Sequence, residues 1–173
     1  MQANHELCFH VSENATIEQF EPRADATGKP VVWAIDARHL ANYLLPRECP
    51  RICVRVQHAS QLESVPPLLA RVGHTIVVET AWAHAIAQAE LTVYAFSRQH
   101  FSVVDANAGY LQATETLGPL SAERLHDLPA QLAARGSVLR FAESLWPIHD
   151  WVSASVLEFS CIRMRNAAPR GAF

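Results

Sequence analysis

Residues 31–56 decide how the fold is read: Val31-Val32-Trp33-Ala34-Ile35-Asp36-Ala37-Arg38-His39-Leu40-Ala41-Asn42-Tyr43-Leu44-Leu45-Pro46-Arg47-Glu48-Cys49-Pro50-Arg51-Ile52-Cys53-Val54-Arg55-Val56. Val31–Ile35 is an unbroken apolar run, which predicts a central strand buried on both faces. Asp36 can cap a following helix that carries His39, Leu40, Tyr43 and Leu44. Pro46 ends that helix, because proline donates no backbone hydrogen bond and its ring clashes with the preceding turn. Ile52, Val54 and Val56 then alternate with Cys53, Arg55 and Gln57, which predicts a strand with one polar face.

Working outward, Leu7–Ser12 predicts a first strand, with Leu7, Phe9 and Val11 on one face and Cys8, His10 and Ser12 on the other. Residues 21–30 collect proline, glycine and small polar residues and predict an exposed loop. Thr75–Val78 predicts a short buried strand and Leu91–Phe96 another strand, around an alanine-rich helix that starts at Glu79 or Thr80 and ends at Gln88. Gly109–Thr114 predicts a strand after a turn. Ser121-Ala122-Glu123 predicts the cap of a helix running toward Arg135, interrupted or restarted at Pro129 and stopped by Gly136. Val138–Phe141, a helix within Ser144–Val156 and a strand Phe159–Met164 complete the chain, and residues 167–173 are expected to fray. Strands and helices interleave, yet several connections are short enough for antiparallel pairing. The expected fold is therefore α+β: a single domain over residues 1–173, with a mixed or mostly antiparallel sheet and flanking helices.

Bulk properties agree with an ordinary globular chain. Of 173 residues, 50% are hydrophobic and 18% charged, which excludes a disordered polyelectrolyte. The net charge of −3 gives no basic footprint for nucleic acid. No apolar run approaches the ~20 residues of a membrane span. Met1–Glu6 shows no secretory leader, and the sparse cysteines Cys8, Cys49, Cys53 and Cys161 suit a reducing cytoplasm better than a disulfide scaffold.

No glycine-rich dinucleotide fingerprint, phosphate-binding loop, His-Glu-x-x-His or nucleophile elbow is present. Chemistry must come from scattered residues. Cys49, Cys53 and His58 have a loose zinc-like spacing but lack a fourth ligand, and a cysteine in an alternating strand is ordinarily a small core residue. No metal is therefore assigned. His10-Val11-Ser12 and His58-Ala59-Ser60 are two His-x-Ser triplets, the pattern of two-histidine phosphoesterases. Such triplets also arise by chance in a chain with nine histidines. Arg47 and Arg51 flank a proline-fixed turn and could grip a phosphate or carboxylate bidentately; the alternative is pairing with local acids such as Glu48 and Asp36. Glu79, at the end of a strand, suits a catalytic base or ribose ligand, or equally a first-turn helix residue.

Six strings running from Phe9 to Ala167, among them Val32-Trp33-Ala34-Ile35-Asp36, Leu145-Trp146-Pro147 and Ile162-Arg163-Met164-Arg165-Asn166-Ala167, resemble a family of uncharacterised bacterial proteins. The first 50 residues, with His10-Val11-Ser12, Ile17-Glu18-Gln19-Phe20-Glu21-Pro22-Arg23 and the Val-Trp-Ala strand, also resemble ADP-ribosyltransferase-like domains. That resemblance implies an ADP-ribosyltransferase-like fold with NAD as substrate. His10 and Ser12 would hold NAD, Tyr43 would stack on nicotinamide, and a glutamate, Glu79 or otherwise Glu115 or Glu158, would orient the ribose. The expectation is a nucleotide- or NAD-binding domain with transferase or glycohydrolase activity. His10 and Glu79 are its catalytic candidates, and Ser12, Tyr43, Arg47 and Arg51 its substrate-binding ones. The alternatives are a non-enzymatic binding or interaction domain, with homodimerisation possible, and a two-histidine phosphoesterase.

Overall fold

Backbone hydrogen bonding sorts the strands of this computed structural model, which describes residues 7–171, into two sheets. In chain order the elements are β1 (Leu7–Ser12), β2 (Arg23–Ala24), β3 (Pro30–Asp36), β4 (Arg51–Val56), β5 (Gly73–Glu79), α1 (Ala83–Gln88), β6 (Leu91–Ser97), β7 (Ser102–Asp105), β8 (Tyr110–Ala113), β9 (Ser121–Leu125), α2 (Leu128–Ala134), β10 (Ser137–Ala142), α3 (Trp146–Ser153) and β11 (Glu158–Ile162). The fold is α+β, and its sheets are mostly antiparallel. Contacts gather the chain into two compact units. One is built from the chain up to Leu44 with Glu90–His126, the other from Leu45–Ala89 with Asp127 onward.

The first unit holds the larger sheet, in the order β7-β8-β3-β1-β6-β9, with β2 paired to β3. Every pairing in it is antiparallel. β1 lies against β6 with Cys8 opposite Phe96 and His10 opposite Tyr94. The core forms on that face from Cys8, Phe20, Val32, Ala34, Tyr94, Phe96, Phe101, Leu111 and Ala113. The segment after β1 closes over it. Phe20 bridges to Leu117 through two backbone bonds of 2.8 and 3.1 Å, and Ile17 N donates to the Tyr94 hydroxyl at 3.0 Å. The core is thus on the Cys8–His10 face, and the apolar cover that makes it so, Phe20, comes from outside the strand.

The second unit contains all three α-helices of the described residues and a four-stranded sheet, order β10-β5-β4-β11. β10 and β5 run parallel, and the other two pairings are antiparallel. Ile52, Val54, Leu69 and Val77 pack with Leu145, Ile148 and Val152, so α3 covers one sheet face, while α2 packs beside β10. Burying a large aliphatic side chain in this way contributes about 1.5–3 kcal/mol.

Several sequence expectations need correction. The helix after Asp36 shrinks to a 3-10 turn, Leu40–Tyr43, because the Asp36 carboxylate draws in His39 N at 2.8 Å and closes a tight turn. Ser121–Glu123 does not start a helix; it belongs to β9, in register with β6. The helix toward Arg135 is α2, which starts at Leu128 with Pro129 in its first turn, where a missing N–H is tolerated, and is capped by Asp127, whose side chain accepts from Ala130 N at 3.2 Å. The loop 21–30 contains the short β2, and β7 was not anticipated. Within the expected tail, Ala168 and Arg170 are hydrogen-bonded. The remaining residues of the expected tail, 172–173, lie outside the described residues.

Candidate functional site

The register of β3 against β8 sets Ile35 opposite Tyr110 and Trp33 opposite Gln112. Side chains alternate along a strand, so Trp33 and Tyr110 share one sheet face, where they meet edge to face with ring centres 5.7 Å apart. The 3-10 turn supplies a third ring. Tyr43 lies 6.2 Å from Tyr110 and donates its hydroxyl to the Tyr110 hydroxyl at 2.5 Å. Both tyrosines are half-buried, and Trp33 is 39% exposed. The result is a ledge of aromatic surface with one hydroxyl pair at its centre.

A polar pair lies at the end of β3, where Asp36 is in register with Cys8 of β1. Asp36, the last residue of β3, accepts from His39 Nδ1 at 2.8 Å. A carboxylate only accepts, so this imidazole carries its proton on Nδ1. Burial works to push the Asp36 carboxyl up, but hydrogen bonds from the His39 ring and backbone outweigh it and hold the group below its ordinary value. Gly109 makes the arrangement possible. Its φ is +73°, and a Cβ there would fall 2.3 Å from His39 Nδ1 and 2.9 Å from Asp36 Oδ1. Its carbonyl also accepts from Asp36 N at 3.0 Å, which fixes the turn that delivers Tyr110. Only a residue without a Cβ combines that conformation with so close an approach.

The predicted site residues divide between the units. His10, Ser12 and Tyr43 belong to the first, while Arg47, Arg51 and Glu79 belong to the second. Within the first, His10 and Tyr43 are both linked to Trp33, but from opposite sides of the sheet. His10 Nδ1–H donates to the Trp33 carbonyl at 2.9 Å, and its ring meets Phe20 edge-on at 4.9 Å on the core side. Tyr43 reaches Trp33 through Tyr110. The Ser12 hydroxyl accepts from Asn14 N at 3.1 Å.

Within the second unit the polar groups hold the chain to itself. Arg51 is buried and donates to the Pro46 carbonyl at 3.0 Å, which braces its own turn. The Arg47 carbonyl accepts from Arg163 Nε at 3.3 Å. Glu48 accepts from Asn166 Nδ2 at 2.8 Å and from Arg165 at 3.3 Å. Glu79 is buried at the end of β5 and accepts from Ala168 N at 3.0 Å. The other glutamate candidates are also engaged: Glu115 with His100 at 3.0 Å in the first unit, and Glu158 with Arg55 at 3.4 Å in the second.

His58 is exposed at the start of a 3-10 turn in the second unit, whereas His10, its partner in the phosphoesterase reading, belongs to the first. Burial pushes the Cys49 and Cys53 thiols up to about 12. Among the described residues no three His, Cys, Asp or Glu side chains are placed to hold a metal ion. No helix among them is long and apolar enough to cross a membrane.

Sequence reasoning placed Trp33 in a strand buried on both faces, and missed Tyr110 and the Asp36–His39 pair. The i,i+3 spacing of Asp36 and His39 and the Gly109-Tyr110 step were visible signals; that they meet depends on the β3–β8 register, which a single sequence does not display.

A family model described as a family of unknown function (DUF6886) matches residues 9–167. No curated protein and no solved structure matches the chain. These findings agree with the whole-chain resemblance to an uncharacterised family and give the ADP-ribosyltransferase-like resemblance no support.

Proposed function

The chain belongs to the DUF6886 family, and we propose that it binds a nucleotide by stacking an aromatic base on the ledge of Trp33, Tyr43 and Tyr110. The observation that carries this reading is the exposure of the Trp33 ring beside two half-buried, hydroxyl-linked tyrosines. Aromatic surface of this kind accepts any planar ring, and each stacked base is worth about 1–3 kcal/mol. Tyr110 accepts from Tyr43 and keeps its own O–H to donate to a ligand.

NAD is the specific ligand we take, with transfer or hydrolysis at its nicotinamide–ribose bond as the reaction. In hydrolysis, water adds at the ribose C1′, nicotinamide leaves with the bonding electron pair, and one proton is released. His10 then serves by fixing the Trp33 backbone and does not touch the ligand. Calorimetric titration with NAD tests the reading. The native chain is expected to bind, and Trp33→Ala and Tyr43→Ala to weaken binding by about tenfold to a hundredfold. Absence of binding, or unchanged affinity in Trp33→Ala, would contradict it.

A second reading, a non-enzymatic interaction domain, is favoured by the edge strand β7. Val103 and Val104 there are 55% and 52% exposed, and an open strand edge bearing apolar side chains invites pairing with another copy. Sedimentation at rising concentration separates the two: a dimer that Val103→Lys dissolves supports association, and a monomer throughout removes it.

A further inference from the structure

The chain leaves β11 through Arg163, whose φ of +56° turns it into a 3-10 turn, Met164–Asn166. Ala168-Pro169-Arg170 then lies on the second unit as a peptide ligand would. Ala168 N donates to the buried Glu79 carboxylate at 3.0 and 3.2 Å. The Ala168 carbonyl accepts from Trp146 Nε1 at 2.6 Å. Pro169 has no N–H to satisfy. The Arg170 guanidinium meets Asp150 with both terminal nitrogens, at 2.7 and 2.8 Å, and stands 4.1 Å above the Trp146 ring.

Each contact selects something. The Glu79 and Trp146 bonds read one backbone donor and one acceptor, which fixes register. The bidentate carboxylate and the aromatic face together prefer arginine to lysine, because only the planar guanidinium fits both. The layers also differ in depth. Glu79 is buried, whereas Asp150 and Arg170 are both 56% exposed at their side chains. An exposed ion pair holds weakly and exchanges readily.

We propose that Glu79, Trp146 and Asp150 form a docking site for an extended small residue–Pro–Arg segment of a partner protein, filled here in cis by the chain's own Ala168-Pro169-Arg170. A tethered segment competes at an effective concentration in the millimolar range. A partner therefore gains the site when the tail is displaced or weakened. This inference is independent of the nucleotide reading, whose residues belong to the first unit.

The test is anisotropy of a labelled, acetylated Asn-Ala-Ala-Pro-Arg-Gly peptide, titrated into the native chain and into full-length Ala168→Pro/Arg170→Ala, whose tail offers neither the N–H nor the guanidinium. The double variant is expected to bind at least tenfold more tightly than the native chain. Arg170→Ala alone, changed only at an exposed side chain, is expected to gain several-fold and serves if the double variant does not fold. Replacing the peptide's arginine by alanine, or adding Asp150→Ala to the protein, is expected to cost the gain. Equal binding to native and variant chains, no binding to any of them, or indifference to the peptide arginine would overturn the proposal.

Discussion

In the first unit, Asp36 bonds His39, Tyr43 bonds Tyr110, and aromatic ring surface is left at the solvent. In the second, Glu48, Glu79, Trp146 and Asp150 bond to the chain's own last segment. The residue types are nearly the same: carboxylates beside aromatic rings. What separates a candidate ligand site from a clamp is what lies across each hydrogen bond. Glu79 looks like a catalytic base when read as a strand-end carboxylate; in the structure it accepts from Ala168 N. Trp33 looks like core in the sequence, and its exposed ring gives it a surface to offer.

The comparison can be broken first at the core of the first unit. Phe20 packs edge-on against the rings of His10, Tyr94 and Phe96 at 4.9–5.0 Å. Phe20→Ala is expected to cost about 3–5 kcal/mol in urea unfolding, as for other buried phenylalanines. A loss under about 1 kcal/mol would mean that the His10 face is not a core, and would return His10 to the list of ligand residues. A smaller effect sharpens the ledge. Gly109→Ala forces a side chain into a left-handed backbone position against His39, at a cost of about 1–3 kcal/mol, and should lower NAD affinity along with stability. Stability lost with affinity intact would detach the turn at Gly109 from the site.

The smallest effect concerns the tail. Arg170 and His149 hold the Asp150 carboxyl far below its ordinary value, and Asn166 and Arg163 lower that of Glu48. Groups lowered on folding stabilise the folded state above their ordinary values and lose that contribution as pH falls through the lowered ones. The tail should therefore be secure at neutral pH and loosen below about pH 4, seen as faster exchange of the Trp146 indole proton. Both carboxylates are solvent-exposed, so Arg170→Ala should leave the melting temperature almost unmoved at neutral pH.

How much of this was legible in the sequence depends on the range of the interaction. Val31–Ile35, Ile52–Val56 and Leu91–Phe96 declare themselves as strands because their patterns are local. Helix 36–46 fails because His39, Leu40, Tyr43 and Leu44 fit a helical face equally well as one 3-10 turn shaped by Asp36. Ser121–Leu125 fails because its polar, capping-like start is settled by pairing with β6. The parallel pairing of β5 and β10 was out of reach for a similar reason, since the chain between them carries β6–β9 of the first unit. Tyr43 was named as a site residue from the sequence, but its companions Trp33 and Tyr110 enter only through the β3–β8 register.

The contrast between the units is tested most directly by mapping NAD onto the isotope-labelled chain by amide and indole NMR shifts. Shifts are predicted at the Trp33 indole and at the amides of Asp36–Tyr43, Gly109 and Tyr110, with the Trp146 indole and the Glu79 and Ala168 amides unmoved. Shifts centred on Trp146 and Glu79, or none at saturating NAD, would contradict it.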